Sequence, residues 1–119
     1  MKLVNILLKK QYFERDDLGL KKEGHITQEL NTTINKAKDI NNLKVIFEIN
    51  GIINDEDKRK LFNAEFEYRV DYELENDEEI IKEDNLRKPI KELYEIKVIP
   101  KLRECFIESG LSSIDVIEF

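Results

Sequence analysis

Phe62, Ala64, Phe66, Tyr68, Val70, Tyr72 and Leu74 are all apolar or aromatic, and the residues between them, Asn63, Glu65, Glu67, Arg69, Asp71 and Glu73, are all polar. Alternation with a period of two, unbroken over Leu61–Glu75, is the signature of a β-strand, whose successive side chains point to opposite faces. This stretch therefore predicts a strand with one dry face and one wet face. At roughly 3.3 Å per residue its thirteen positions from Phe62 to Leu74 reach about 43 Å, against about five or six residues in an ordinary strand. A strand that long needs neighbours of matching length and something to cover its dry side.

The neighbours are readable upstream. Leu43, Val45, Phe47 and Ile49 alternate and run into Gly51 and the polar stretch Asn54–Lys58, which has the composition of a hairpin connection. His25–Lys36 alternates more loosely, with Ile26, Leu30, Thr32 and Ile34 on one side, and the pair Thr32–Thr33 favours strand. Lys2–Glu14 is apolar on both alternating sets, Leu3, Leu7 and Phe13 on one and Val4, Ile6, Leu8 and Tyr12 on the other. Such a strand is buried on two sides or packed at an interface; a short amphipathic helix is the alternative. Arg15–Gly24 carries turn chemistry and reads as a loop.

Only one long segment reads as helix. In LYEIKVIPKLRECFIESG, Leu93–Gly110, residues Leu93, Ile96, Ile99, Leu102 and Phe106 recur every three or four positions. Pro100 falls inside that pattern, so the helix either kinks there or starts near Val98. Gly110 marks its end. The acidic run Asn76–Asp84 suits the approach to a helix N-terminus, Pro89 suits a first helical turn, and Ile114, Val116 and Ile117 suggest a short extended segment after the helix. The expected architecture is α+β: a single domain over residues 1–119, with a four-stranded antiparallel sheet and one main C-terminal helix packed on one face.

That architecture has an area problem. Four strands about 4.8 Å apart and around 40 Å long present an apolar face roughly 19 Å by 40 Å. A helix of about 18 residues is roughly 27 Å long and 10 Å wide, and covers a third to a half of it. Soluble monomers rarely leave an apolar patch of that size wet. A second copy, a partner or an apolar ligand is expected on the remainder, which points to binding rather than chemistry.

Nothing in the composition points to catalysis. The 119 residues hold one histidine, His25, and one cysteine, Cys105, too few for a zinc site, and no phosphate loop, nucleophile elbow or HExxH motif occurs. No metal or cofactor is expected. Cys105 reads as a packing residue beside the apolar stripe, and His25 as a surface residue. The net charge of −6 argues against sequence-independent nucleic-acid binding. The apolar run Leu3–Leu8 is too short for a signal-peptide core or a membrane span. A lone cysteine fits a reducing cytoplasm, and the abundance of Ile, Lys, Glu and Asn fits an AT-rich bacterial or viral genome. The carboxylates of Leu61–Glu75 read as a solvated face, with docking of a basic partner as the functional alternative.

With four strands followed by a helix in view, LYEIKVIPKLREC (Leu93–Cys105) resembles the first-helix signature of the SecB protein-export chaperones, an apolar-Pro-x-x-Arg-Glu pattern matched by Ile99, Pro100, Arg103 and Glu104. Ile6–Glu14, ILLKKQYFE, is similar to the family's first strand, and Gly110–Phe119 to its glycine-led segment ending in Asn-Phe, here Glu118-Phe119. The middle strands match in pattern alone. The resemblance implies a homo-oligomer in which two sheets join into a dimer and dimers join through their helices into a tetramer. It implies Val4, Ile6, Leu8, Leu102 and Phe106 at subunit interfaces. It also implies ATP-independent binding of non-native polypeptides, for which Phe66, Tyr68, Tyr72, Leu74 and Tyr94 are the candidate apolar contacts, each equally readable as core. The alternative is an adaptor or toxin–antitoxin-associated module of the same fold that docks one specific protein. The family's second helix and acidic tail would lie beyond Phe119, so delivery to the SecA export motor is not expected.

Overall fold

The computed structural model describes residues 2–16, 26–53, 58–74 and 83–119. Four strands, β1 (Lys2–Arg15), β2 (Ile26–Lys36), β3 (Asn42–Ile53) and β4 (Lys60–Glu73), form one antiparallel sheet in the order β1-β4-β3-β2. The alternation of β4 is realised as read: Phe62, Ala64, Phe66, Val70 and their aromatic neighbours are buried on one face, while Asn63, Glu65, Glu67 and Asp71 lie on the other. Register carries the pattern sideways, since Phe47 faces Phe66, Ile49 faces Ala64 and Leu43 faces Val70 on β3. The expected loop over Arg15–Gly24, His25 and the hairpin stretch Asn54–Lys58 fall largely outside the described residues.

β1 departs from its simple alternation. Its pairing with β4 shifts register between Leu3 and Asn5 and again between Leu8 and Lys10. Each bulge adds a residue on β1 without a partner on β4 and changes which face the following side chains take. Leu3, Ile6, Leu8 and Phe13 therefore pair with the buried set Tyr72, Val70, Tyr68 and Ala64, while Leu7 and Tyr12 lie opposite Arg69 and Glu65 on the polar face. The two apolar sets read from the sequence were thus grouped wrongly, although β1 does carry apolar residues on both faces.

The helix is longer than the sequence suggested. α1 (Glu83–Leu93), a π-helical segment (Tyr94–Val98) and α2 (Ile99–Glu108) run on continuously, with right-handed helical backbone at both junctions, Leu93 and Ile99. Pro89 consequently sits inside α1 rather than in the first turn, and the acidic run Asn76–Asp84 lies almost wholly outside the described residues. Pro100 neither starts nor breaks the helix. It has no N–H for the carbonyl of Ile96, and its ring crowds that carbonyl in a regular α-turn. The chain widens just before it, and the Ile99 N–H donates to the Tyr94 carbonyl five residues back. The widened turn moves the buried stripe: Leu86, Ile90, Leu93, Tyr94, Val98, Leu102 and Phe106 are buried, while Ile96, read as part of the stripe, is 66% exposed.

The end of the helix follows from Gly110. Its φ of 75° is the left-handed conformation that favours glycine. The Leu111 N–H donates to Phe106 at 2.7 Å and the Gly110 N–H to Ile107 at 3.3 Å, the paired bonds of a Schellman cap, with Leu111 buried over Phe106. The Arg15 guanidinium donates to the Ser109 carbonyl, placing a cation at the negative end of the helix dipole and tying the end of β1 to it.

Beneath this end lies an aromatic cluster. Phe62 stacks on Phe13 with centroids 5.9 Å apart and meets Phe106 edge-on at 4.9 Å. Phe62 needs Gly51 beside it, because a Cβ there would stand 2.2 Å from the Phe62 ring. Gly51→Ala should therefore cost about 1–3 kcal/mol through overpacking, measured by denaturant unfolding. Unchanged stability would show that the ring has room to move.

Candidate functional site

The helix lies along the middle of one sheet face, so β3 and β4 are sealed and the edge strands are only half covered. Between β1 and α1, Leu3 and Ile6 face Pro89, Leu93 and Ile96 across an apolar trough of about 330 Å³, with Glu92 and Lys97 at its rim. Val4 and Leu8, 47% and 42% exposed, continue the apolar strip along β1. On the far side, Leu111–Phe119 leaves the helix cap and lies against β2 and the helix. The Gln28 side chain donates to the Asp115 carbonyl at 2.5 Å and accepts the Ile117 N–H at 3.2 Å, and the Tyr94 hydroxyl donates to the Ile117 carbonyl at 2.5 Å.

The candidate client contacts do not form one exposed surface. Phe66, Tyr68, Tyr72 and Tyr94 are buried in the core under the helix, and Leu74 is half-buried against its margin. Of the interface candidates, Leu102 and Phe106 are buried within their own chain, Ile6 lines the trough, and Val4 and Leu8 are open. The physical reason is simple: on an amphipathic strand beneath a helix, the largest apolar side chains mark the deepest core. The open apolar residues include Val4, Leu7, Leu8 and Tyr12 on the edge strand β1, Ile40 and Ile107, and Ile96, which the π-helical segment turns outward. Gln28 was passed over in the sequence. Its signal was a polar residue on the apolar face of β2, between Ile26 and Leu30.

The polar face of the sheet is largely self-paired. Lys10 meets Glu65 at 2.6 Å, Lys44 meets Glu67 at 3.5 Å and Arg69 meets Asp71 at 3.2 Å. With those cations beside them, the β4 carboxylates lie in a surface of mixed charge. Cys105 is partly buried, and burial together with Glu108 and Glu104 pushes its thiol pKa up, away from the reactive thiolate. Among the described residues, no three His, Cys, Asp or Glu side chains are grouped to hold a metal ion, and no helix is long and apolar enough to cross a membrane.

A four-stranded antiparallel sheet with one long helix on a single face defines the SecB-like fold. Mycobacterium tuberculosis Rv1957, a SecB-like chaperone in complex with a ChAD peptide from the Rv1956 HigA1 antitoxin, aligns with a TM-score of 0.62 at 16% identity, over 99% of this chain and 90% of its own. A protein of unknown function from Streptococcus agalactiae aligns over 98% of this chain and 95% of its own at 13% identity, with a TM-score of 0.39, too low to argue from. No protein-family model matches the sequence, and neither does any curated protein.

The buried tyrosines differ in one respect. Burial pushes the phenols of Tyr68 and Tyr94 up to about 12, so both stay protonated at neutral pH. Tyr94 uses its hydroxyl on Ile117, whereas the hydroxyls of Tyr68 and Tyr72 are buried without a hydrogen-bond partner among the described residues. Tyr68→Phe and Tyr72→Phe should leave stability unchanged or raise it, while Tyr94→Phe should lower it by about 1 kcal/mol, the net worth of a hydrogen bond. Chemical unfolding of the three variants checks this, and equal losses at all three would contradict it.

Proposed function

We propose that this chain is an ATP-independent SecB-like chaperone that holds exposed apolar segments of non-native polypeptides. The observation that carries this reading is the half-covered apolar face: the trough between β1 and the helix, lined by Leu3, Ile6 and Ile96, in a fold shared with a SecB-like chaperone. An extended client places alternate apolar side chains against Leu3, Ile6 and Ile96 and draws its affinity from burying them. The protein works in the cytoplasm, as a dimer or tetramer. Subunits join through β1, an edge strand with unpaired backbone groups and apolar residues on both faces. No role in delivery to SecA is proposed.

A second reading, an adaptor for one specific protein, draws on the antitoxin peptide held by the Mycobacterium tuberculosis neighbour. It differs in requiring no unfolded client. The first test is suppression of aggregation of a denatured protein, without nucleotide, at one chaperone per client. We expect clear suppression, weakened several-fold by Ile96→Asp, a change at an exposed position that spares the core. No suppression at tenfold excess would sink the chaperone reading. Sizing by light scattering should give a dimer or larger, and Val4→Asp with Leu8→Asp should yield a monomer. A monomeric parent chain would remove the case for assembly through β1.

A further inference from the structure

Leu111–Phe119 is held in an unusual way for a segment that is neither helix nor strand. The bonds from Gln28 and Tyr94 all go to main-chain groups, the Asp115 carbonyl and both the N–H and the carbonyl of Ile117. The side chains of Ile114, Val116, Ile117 and Phe119 rest half-buried against the core, with the Phe119 ring 6.0 Å from that of Tyr94. Gln28 reaches the segment from the helix-bearing face of β2, where it pairs with Gly51. Capture of backbone combined with shallow apolar seats makes few demands on sequence. It asks for an extended chain with aliphatic residues and a nearby aromatic.

We propose that Gln28 and Tyr94 form a peptide-backbone binding site, occupied in cis by residues 113–119, that takes in trans an extended apolar segment of another polypeptide with the same pattern. The proposal rests on the polypeptide-binding function above and adds a location for it, across the helix from the β1 trough. The resident segment then sets a threshold. A tethered occupant acts at an effective concentration on the order of millimolar, so a free segment of equal intrinsic affinity displaces it only near that concentration. The apparent Kd is the intrinsic value divided by the fraction of chains with the site open. Clients that bind elsewhere on the same face gain the advantage of a second attachment, and weak isolated segments are turned away.

The test uses a fluorescent peptide of residues 111–119, titrated by anisotropy against the full chain and against a chain with Ile117→Ala and Phe119→Ala. That variant loosens the resident segment but keeps Leu111, which is buried under the helix cap. Circular dichroism and a cooperative melt establish that it folds. The expected result is a Kd at least tenfold tighter for the loosened chain, and loss of that gain when Gln28→Ala is added. A folded loosened chain that binds no more tightly overturns the proposal, as does tighter binding indifferent to Gln28→Ala. Should the loosened chain not fold, hydrogen exchange on the unaltered chain decides: protection of the Ile117 amide must fall as peptide is raised to millimolar, and constant protection overturns the site. A chain that suppresses aggregation but fails here keeps the proposed function and loses this site; one that passes here without suppressing aggregation keeps the site alone.

Discussion

One helix is about 10 Å across and four strands span roughly 19 Å, and most of this molecule follows from that difference. The helix can seal two strands completely, and it seals the two central ones: every inward side chain from Leu43 to Ile49 and from Phe62 to Tyr72 is buried. The edge strands β1 and β2 are left with apolar faces only half covered. The two sides meet this differently. Residues 111–119 are drawn back over β2, while nothing among the described residues covers the trough beside β1. The continuous helix of about 26 residues, roughly 39 Å at 1.5 Å per residue, runs most of the sheet's length, so the shortfall in cover is one of width.

Pro100 shows how a single residue redistributes such a surface. A regular helix from Leu86 to Phe106 would not hold one buried stripe in register on both sides of a proline. The widened turn at Tyr94–Val98 absorbs the missing hydrogen bond, and it also lets Leu93 and Tyr94 both face inward. Tyr94 thereby packs on Phe47 at 5.5 Å and presents its hydroxyl to Ile117, while Ile96 is turned to the open side. The widened turn that accommodates Pro100 thus shapes both the trough on one side and the clasp on the other.

How much of this was legible depended on whether local periodicity survived. β4 was read correctly from Phe62 to Leu74 because its register shift against β3, at Leu61, falls before the alternating run, and beyond it the two faces differ in polarity. β1 was misread because two bulges change its phase, and a bulge leaves no mark in a sequence that is apolar at both phases. The helical stripe was right at Leu93, Leu102 and Phe106 and wrong at Ile96, because a π-turn adds a residue that a period of 3.6 does not allow for. Phe66, Tyr68, Tyr72 and Tyr94, read as client contacts or equally as core, are buried under the helix. Large aromatic residues on an amphipathic strand suit a core and a client groove equally well, and only the position of the helix separates the two. Gln28 could have been found as the polar exception on the apolar face of β2, but its partners, 87 and 89 residues away, were not readable from local pattern.

The contrast between the two edges bears on how such a surface limits pairing with other chains. An edge strand with exposed apolar side chains invites pairing with any similar chain. On β2 the risk is reduced by covering the apolar face with a segment of the same chain, tethered and therefore always at high local concentration. On β1 the bulges break the regular row of backbone donors and acceptors, and Asn5, Lys9 and Lys10 place polar or charged groups along it. One edge is covered by the chain itself, and the other keeps apolar area open beside the helix. The incomplete cover provided by a single helix is therefore the physical origin of the apolar area left open beside β1.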